Sequence, residues 1–281
     1  MMDRDDLPLA APQRRIRVLR AGEVAAKLLA RARRQQDGRV EPPTPVLTGL
    51  PSLDSMVRSW WGLTLLAGES SSGKTTLAAR IALHTARAGG RVLWLGLGQS
   101  ADTPIFRLLT GIAQVRARSV FVERNLADQE WKALEVASNF LDTVPISVAE
   151  AHGASIHELR ANLEGFLERG PIRLVVLDDL GSPDRGVLTS LEQLSDDLGI
   201  PFLAVVELDR SQSWTDEKAL LGGSMPQRPG SLRLLIARAE PGEPGGPETT
   251  WLDVYRAGEG YRRAIRLRFD AQCRRLEDDD S

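Results

Sequence analysis

The sequence predicts an α/β fold in which a mostly parallel central sheet carries helices on both faces and is followed by trailing antiparallel strands. Apolar runs of strand length alternate with segments of helical periodicity through the first two thirds of the chain. The run 172–177 is continuously apolar and ends at an aspartate, as expected for a buried parallel strand. Residues 264–269 instead alternate apolar and charged side chains, which indicates a strand with one solvated face.

The N-terminal region is predicted to stand outside this sheet. Residues 1–15 mix charges with prolines and are expected to be disordered. Residues 16–45 are expected to form a linker, with an amphipathic helix at 22–36 and a proline-rich end. The helix has an apolar stripe that must be buried either on its own domain or on a neighbouring subunit, and it comprises Val24, Ala25, Leu28, Leu29 and Ala32.

The motif at the centre of the chain is Gly68-Glu69-Ser70-Ser71-Ser72-Gly73-Lys74-Thr75-Thr76, which fits G-x-x-x-x-G-K-[ST]. An apolar strand precedes it at 63–67, and a helix-forming segment follows it at 77–83. Strand, loop and helix in this order are the context of a phosphate-binding loop. The alternative is a glycine- and serine-rich turn that contains Gly-Lys-Thr by coincidence.

The residue types of this loop suit ATP and Mg²⁺. Glycines at 68 and 73 let the backbone turn without Cβ clashes, and the N–H groups can then point at phosphates beside a helix N-terminus. The side chain of Lys74 would reach the β- and γ-phosphates, and the Thr75 hydroxyl would bind Mg²⁺. The residues expected to bind the nucleotide are Gly68, Ser70, Ser71, Ser72, Gly73, Lys74, Thr75 and Thr76.

The middle of the chain supplies the other elements of the predicted sheet. Strands are expected at 92–95, 145–148, 172–177 and 201–206, and helices at 101–115, 127–142 and 187–199. Ser155 and Glu158 form a capping box at the start of a further helix. Trp60, Trp61 and the face of helix 127–142 that includes Trp131 are predicted to pack in the interior.

Asp178 follows the apolar run directly and would emerge at the carboxyl end of its strand, where α/β proteins bind ligands. We expect its carboxylate to support Mg²⁺. The alternative is an aspartate that merely begins a turn. In the final third, strands are expected at 231–237, 251–255 and 264–269, the folded domain at 46–276 and an acidic tail at 277–281.

Composition and charge narrow the class of protein. The chain has 281 residues and a net charge of −2, so no overall basic character points to nucleic acid. A single cysteine, Cys273, permits no internal disulfide and fits a reducing compartment. No apolar run reaches the roughly 18 residues of a membrane span, and no signal-peptide pattern opens the chain. We therefore expect a cytoplasmic protein without a membrane partner.

The order of the motifs resembles the replicative DNA helicase (DnaB) family, superfamily 4, in its C-terminal RecA-like ATPase domain. The resemblance runs from about residue 48 to 276. It rests on Thr48-Gly49 with Leu53-Asp54, the phosphate-binding loop, Arg107-Leu108-Leu109, the segment Leu126 to Trp131, Pro145-Ile146, Ile200-Pro201-Phe202 and Arg266 to Asp270 with Arg275-Leu276-Glu277. This resemblance implies a homo-oligomer, in that family a hexameric ring, with ATP sites between subunits and single-stranded DNA in the central channel. Residues 22–36 would be the linker helix that docks on the adjacent subunit, and the family's N-terminal helical domain has no counterpart, so a motor domain alone is expected.

The sequence departs from the family at positions that hydrolyse ATP. Gly98 stands where the family has a catalytic glutamate, and Gly258 stands where an arginine finger is expected. Glu207 replaces the sensor glutamine, and the loop 181–186 is shorter than the family's DNA-facing loop.

Other residues could restore the lost chemistry. Asp179, beside the Mg²⁺ aspartate, is a candidate base. Arg256 matches the first basic position of the pair that acts on the neighbouring subunit, and Arg262 or Arg263 could reach its γ-phosphate. Lys74, Asp179, Arg256 and Arg262 are thus the expected catalytic residues.

Three functions remain open from the sequence. The first is an ATP-dependent DNA helicase core that binds and unwinds DNA in replication. The second is a nucleotide-binding scaffold related to helicases that barely hydrolyses ATP. The third is a RecA-like ATPase of the recombination or circadian-clock type.

Overall fold

The computed structural model describes residues 45–57, 60–98, 100, 102–181, 183–208, 232–236, 248–256 and 261–279. The helices are α1 (Pro51–Met56), α2 (Lys74–Arg87), α3 (Asp102–Ala113), α4 (Asp128–Thr143), α5 (Ile156–Leu167) and α6 (Arg185–Leu198), with a π-helical turn at Ser119–Glu123. The strands are β1 (Leu63–Gly68), β2 (Val92–Gly96), β3 (Ile146–Glu150), β4 (Leu174–Asp178), β5 (Phe202–Glu207), β6 (Leu232–Ile236), β7 (Glu248–Arg256), β8 (Tyr261–Asp270) and β9 (Arg275–Asp278). The predicted linker region at 16–45, including helix 22–36, lies almost wholly outside the described residues.

All described strands form one sheet of nine strands in the order β3-β2-β4-β5-β1-β6-β7-β8-β9. The strands from β3 to β6 run parallel, and β7, β8 and β9 continue the sheet antiparallel. This arrangement confirms the predicted α/β class with a mostly parallel sheet and trailing antiparallel strands. The parallel strands place their carboxyl ends on one edge of the sheet, which is where the predicted site residues follow them.

Two apolar clusters cover the two faces of the parallel strands. Alternate residues of each strand enter opposite clusters, so Leu66 packs with α2 on one face and Leu65 packs with α6 on the other. Strands β1, β2, β4 and β5 are therefore buried along their described length, apart from the last residue of β5. Burial on both faces explains why these strands are continuously apolar in sequence.

Local sequence signals set the boundaries of α5 and α6. Ser155 Oγ accepts a hydrogen bond from the Glu158 N–H and the Glu158 carboxylate accepts one from the Ser155 N–H, which confirms the predicted capping box. Asp184 caps α6 by a single bond, in which its Oδ1 accepts from the Val187 N–H. Gly199 ends α6 in the left-handed region at φ 68°.

The antiparallel strands extend further than the sequence indicated. Ile265, Leu267 and Phe269 are buried and the intervening arginines are exposed, as the alternation predicts. The sequence predicts an acidic tail from Glu277 onward, but Glu277 lies in β9 opposite Arg268, with which it forms an ion pair of 3.3 Å. Cross-strand charge pairing therefore carries the sheet past the expected domain end at residue 276.

Two tryptophans differ from their predicted packing. Trp61 is 40% exposed and Trp131 is 53% exposed, whereas Trp60 is buried as expected. Helix α4 packs mainly against α3, so only its narrow stripe around Leu134 and Ala137 is buried, and Trp131 falls at the margin of that stripe. None of the described helices is long and apolar enough to cross a membrane.

The segment before α1 is fastened to α2, the helix that follows the phosphate-binding loop. The Thr48 N–H and hydroxyl both donate to the Asp54 carboxylate, each at 2.8 Å, which closes the turn at Gly49. The Arg80 guanidinium donates to the carbonyls of Gly49 and Leu276, the latter at 2.6 Å. One side chain of α2 thus binds both the first and the last described segments of the domain.

Gly49→Ala should lower the free energy of unfolding by more than Gly153→Ala. Both glycines have left-handed backbones, with φ of 72° and 67°, so alanine costs about 1 kcal/mol at either position. At Gly49 a Cβ would also lie 2.3 Å from the His84 ring, whereas at Gly153 no described atom lies within 4 Å. We expect an additional loss of about 1–3 kcal/mol at Gly49 in urea unfolding. Equal losses in the two variants would contradict this account of the packing.

Candidate nucleotide site

The predicted loop joins the end of β1 to the start of α2 at the carboxyl edge of the sheet. Gly68 allows a close approach, because a Cβ there would lie 2.6 Å from Ser72 Oγ and 2.7 Å from the Ile236 carbonyl oxygen. Gly73 caps α2 in the left-handed region at φ 97°. The two glycines of the motif thus hold the turn that points the first N–H groups of α2 outward.

The serines of the loop line the expected phosphate position. Ser71 has φ 64°, and Ser70 and Ser71 are exposed at the mouth of the loop. Ser72 is buried, and its hydroxyl has no hydrogen-bond partner among the described residues. Successive N–H groups in such a turn, together with a helix N-terminus, form an anion-binding concavity.

Lys74 lies within the loop and is surrounded by carboxylates. Its ammonium donates to the Gly68 carbonyl at 2.9 Å and to the Glu69 carbonyl at 2.5 Å. Burial lowers the pKa of Lys74, while the negative charges of Glu207, Asp178, Asp179 and Glu69 act in the opposite direction. A phosphate group in the loop would offer this ammonium a stronger, charged acceptor than the two carbonyls.

Asp178 ends β4 and is 1% exposed. Its Oδ1 accepts a hydrogen bond from the Thr75 hydroxyl at 3.2 Å, and its Oδ2 is buried without a hydrogen-bond partner among the described residues. Burial raises the pKa of Asp178 to about 6, against the opposing effects of the Thr75 hydrogen bond and the Arg107 charge. A buried carboxylate with an unsatisfied oxygen beside a threonine hydroxyl fits the hard oxygen ligation of Mg²⁺.

Arg107, which the sequence indicates only through the resemblance to a family motif, is also a member of the site. It projects from α3, and its guanidinium donates to the Thr76 hydroxyl at 3.4 Å. Burial lowers the pKa of Arg107, and the positive charge of Arg274 lowers it further, whereas the Asp178 charge raises it. Arg107 therefore supports the ionised form of Asp178 from a helix that the motif itself does not include.

Asp179 and Gly98 meet at the ends of the neighbouring strands β4 and β2. A Cβ at position 98 would lie 2.4 Å from Asp179 Oδ2. The candidate base therefore contacts the position from which the expected glutamate is missing. The two positions are 81 residues apart, and neither segment indicates that β2 and β4 are neighbours in the sheet. The contact therefore could not be predicted from the sequence.

The two arginines expected to act on a neighbouring subunit lie in the antiparallel strands. Arg256 ends β7 opposite Leu232, and Arg262 lies in β8 opposite Tyr255. The register of β6 on β1 then places Arg256 level with Thr64, four residues or about 13 Å along the strand from Gly68. The backbone does not bring these residues to the loop of their own chain, and Gly258 lies outside the described residues.

A phosphate-binding loop after β1, with a buried aspartate at the end of β4 contacting the loop's threonine, defines a P-loop nucleotide-binding domain of the α/β class. The comparison with family models is more specific. The DnaB-like helicase C terminal domain matches residues 45–220, and the chain belongs to this family. The resemblance inferred from the sequence is thereby confirmed.

Known proteins agree with this assignment. The Replicative DNA helicase DnaC of Bacillus subtilis (strain 168) is 23% identical over 191 residues, which cover 62% of this chain and 42% of that protein. The chain thus spans less than half of the length of this relative.

Two solved structures share the fold. One, an isolated ATPase domain, matches with a TM-score of 0.72 and 16% identity over 91% of this chain and 98% of that one. The other, a DnaB-like replicative helicase described with its interactions with primase, has the same TM-score and identity and covers 90% of this chain and 66% of that one. At this level of identity the two structures establish the fold, a RecA-like ATPase fold.

Asp178→Asn should stabilise the nucleotide-free protein while weakening its response to Mg²⁺. Burial raises the pKa of Asp178 from 3.8 to about 6. The ionised carboxylate therefore lowers the free energy of unfolding by on the order of 1–3 kcal/mol at pH 7.5. We expect a higher melting temperature for the variant at pH 7.5. The difference should shrink as the pH falls from 6 toward 4, because the wild-type carboxyl then becomes neutral in the folded state.

The matched control is Asp142→Asn, an exposed aspartate of α4 that should change neither property. The effect on nucleotide binding should be opposite to the effect on stability, because Asp178→Asn should weaken binding. We expect Asp178→Asn to lose most of the increase in ATP affinity that added Mg²⁺ produces. A variant that melts lower than wild type at pH 7.5 would refute the cost assigned to the buried charge.

Proposed function

We propose that this chain is the ATPase core of a DnaB-type helicase, which binds Mg·ATP and uses its hydrolysis to move on single-stranded DNA during replication in the cytoplasm. The observation that carries the proposal is the contact between Asp178 and Thr75 beside the buried Lys74. Those three side chains supply one ammonium and the oxygen ligands that a metal-bound triphosphate needs. Family membership favours the helicase over a recombination-type ATPase.

Each side chain has a distinct task in this proposal. The loop N–H groups and Ser72 hold the phosphates, and Lys74 leaves its carbonyl acceptors to bind the β- and γ-phosphates. Thr75 and Asp178 would hold Mg²⁺, which offsets phosphate charge when bound. Arg107 keeps Asp178 ionised, and basic residues of β7 or β8, such as Arg256 or Arg262, would reach the nucleotide of the adjacent subunit.

A nucleotide-binding scaffold is the second candidate, and Gly98 favours it. Glycine offers no carboxylate to activate water, so binding would persist while turnover fell. The scaffold and the motor would bind ATP with the same affinity, but only the motor would hydrolyse it at an appreciable rate. Measurement of turnover therefore separates them.

ATP turnover should be stimulated by single-stranded DNA and should depend on Lys74. We expect Lys74→Ala to lower turnover at least about 100-fold, because it removes a charge that faces the transferred phosphate. The matched control is Lys132→Ala, an exposed lysine of α4, which should retain the wild-type rate. The measurement is phosphate release with and without a thymidine homopolymer at two salt concentrations, since contacts with the DNA backbone weaken as salt increases.

Tight ATP binding without turnover above that of Lys74→Ala would select the scaffold. Turnover that DNA does not change would support an ATPase and contradict the proposal of a DNA motor. Failure to bind ATP would contradict both the motor and the scaffold.

We further propose that the chain assembles into a ring, as a homohexamer. A groove of about 620 Å³ lies between α3, the π-helical turn and the turn before β9, and its lining includes Phe106, Arg116, Arg118, Phe121, Val122 and Arg274. Phe121 and Val122 are 66% and 67% exposed, and such exposure of neighbouring large apolar side chains favours a partner that covers them. The occupant that we assign to this groove is helix 22–36 of a second copy.

The sequence of that helix suits the groove. Its apolar stripe matches the exposed Phe121 and Val122, and its arginines at 31, 33 and 34 lie mainly on the opposite side, away from the arginines of the groove. The sequence between the predicted helix and Val46 is proline-rich, which is typical of a linker. These features support docking between copies.

Val122→Glu should reduce assembly, and Val136→Glu should not. The two valines are matched, at 67% and 68% exposure, but only Val122 lines the groove. A charge in the groove would be desolvated by the docked helix, so we expect a loss of the largest species in mass photometry. Leu28→Glu, on the stripe of the helix, should give the same loss. Equal behaviour of Val122→Glu and Val136→Glu would exclude this groove as the docking surface.

A further inference from the structure

The carboxylate of Asp179 occupies the space in which a side chain at position 98 would begin. A Cβ at Gly98 would lie 2.4 Å from Asp179 Oδ2 and 2.9 Å from its Cγ. Separations below 3.0 Å do not occur between real Cβ atoms and their neighbours, so one of the two groups would have to move. The positions 98 and 179 therefore share a single side-chain volume.

The backbone at Gly98 does not itself require glycine. Its φ lies outside the left-handed region in which Gly49, Gly73 and Gly153 are found. A side chain at this position is permitted by the local backbone, but it would have to displace the Asp179 carboxylate. Glycine at position 98 therefore leaves room for Asp179 in its present position.

The backbone at Asp179 is in turn held in an unusual conformation. Its φ is 62°, in the left-handed region that costs a residue other than glycine on the order of 1 kcal/mol. The residues on both sides are fixed to neighbouring strands, since the Asp178 carbonyl accepts from the Leu97 N–H at 2.9 Å and the Leu180 N–H donates to the Val205 carbonyl at 3.0 Å. These bonds maintain the conformation that directs Asp179 toward the end of β2.

We propose that Asp179 is the general base of ATP hydrolysis and that Gly98 is present to admit its carboxylate; this inference rests on the proposed function. The oxygen of a water molecule forms a bond to the γ-phosphorus, and the bond between that phosphorus and the β,γ-bridging oxygen breaks. Its electron pair leaves with ADP. The proton of the water passes to the Asp179 carboxylate and then to solvent.

Burial divides the roles of the two adjacent aspartates. Asp178 is 1% exposed and bonded to Thr75, which suits a metal ligand. Asp179 is half-buried at the sheet edge, so a water molecule can reach it, and its charge acts on Lys74. A base must lie near both the attacked phosphate and solvent, and the partial exposure of Asp179 together with its effect on the loop lysine favours this role.

Glu207 is the alternative candidate for the general base. It ends β5 opposite Gly68 and has the largest electrostatic effect on Lys74 among the carboxylates of the site. This position beside the loop suits control of the Lys74 charge. Glu207 does not account for the glycine at 98, whereas Asp179 does.

The first experiment compares amide variants of the two carboxylates. Asp179→Asn should lower kcat at least about 100-fold while the Kd for a fluorescent ATP analogue changes less than about threefold. Glu207→Gln should retain kcat within about tenfold, and the exposed control Asp142→Asn should match wild type. Circular dichroism and melting temperature verify that each variant is folded.

The second experiment uses the shared volume. Gly98→Glu should lower turnover because two carboxylates then compete for one volume and repel each other, and Asp179→Gly should lower it because the carboxylate of that volume is lost. The double variant Gly98→Glu/Asp179→Gly should recover at least about tenfold over Asp179→Gly, since it returns a carboxylate to the same space.

The outcomes separate this inference from the proposed function. Wild-type turnover that survives in Asp179→Asn, or that is lost in Glu207→Gln instead, overturns the inference and leaves a working ATPase. A double variant no faster than Asp179→Gly overturns the claim of a shared volume. A wild type that binds ATP without hydrolysing it overturns both the inference and the motor.

Discussion

The burial of one negative charge organises this domain. Asp178 ends a strand whose neighbours on both sides belong to the sheet interior, and no solvent compensates its carboxylate. Such a charge is retained only where cations or hydrogen-bond donors surround it. The Thr75 hydroxyl donates to it, and the charges of Lys74 and Arg107 act on it from two helices, so the loop, the helix that follows it and α3 all contribute to its surroundings. Asp178 Oδ2 has no hydrogen-bond partner among the described residues, so the side chains of these elements compensate the charge only in part.

The fold was predictable because its signals are local. Strands buried on both faces read as continuous apolar runs, the capping box at Ser155 marks a helix start, and the loop motif orders β1 before α2. The alternation of Ile265, Leu267 and Phe269 similarly identified a strand with one buried face. Each of these features involves residues within a few positions of one another, so the chain order alone is sufficient to find them.

The features that sequence reasoning missed depend on strand order and helix placement. Neither the contact of Gly98 with Asp179 nor the bond of Arg107 to Thr76 follows from spacing, because each joins segments that only the folded sheet brings together. Trp131 was expected in the interior because helical periodicity gives the direction of a side chain but not the width of the surface that covers it. The ninth strand was missed because an acidic sequence resembles a tail until its arginine partners are known.

The Arg80 guanidinium has a mechanical consequence. It donates hydrogen bonds to the carbonyl of Gly49, near the start of the domain, and to that of Leu276, near its end. Thr85 of the same helix bonds to the backbone of Leu47. A displacement of residues 47–49 would therefore be transmitted to α2, the helix that begins at the phosphate-binding loop.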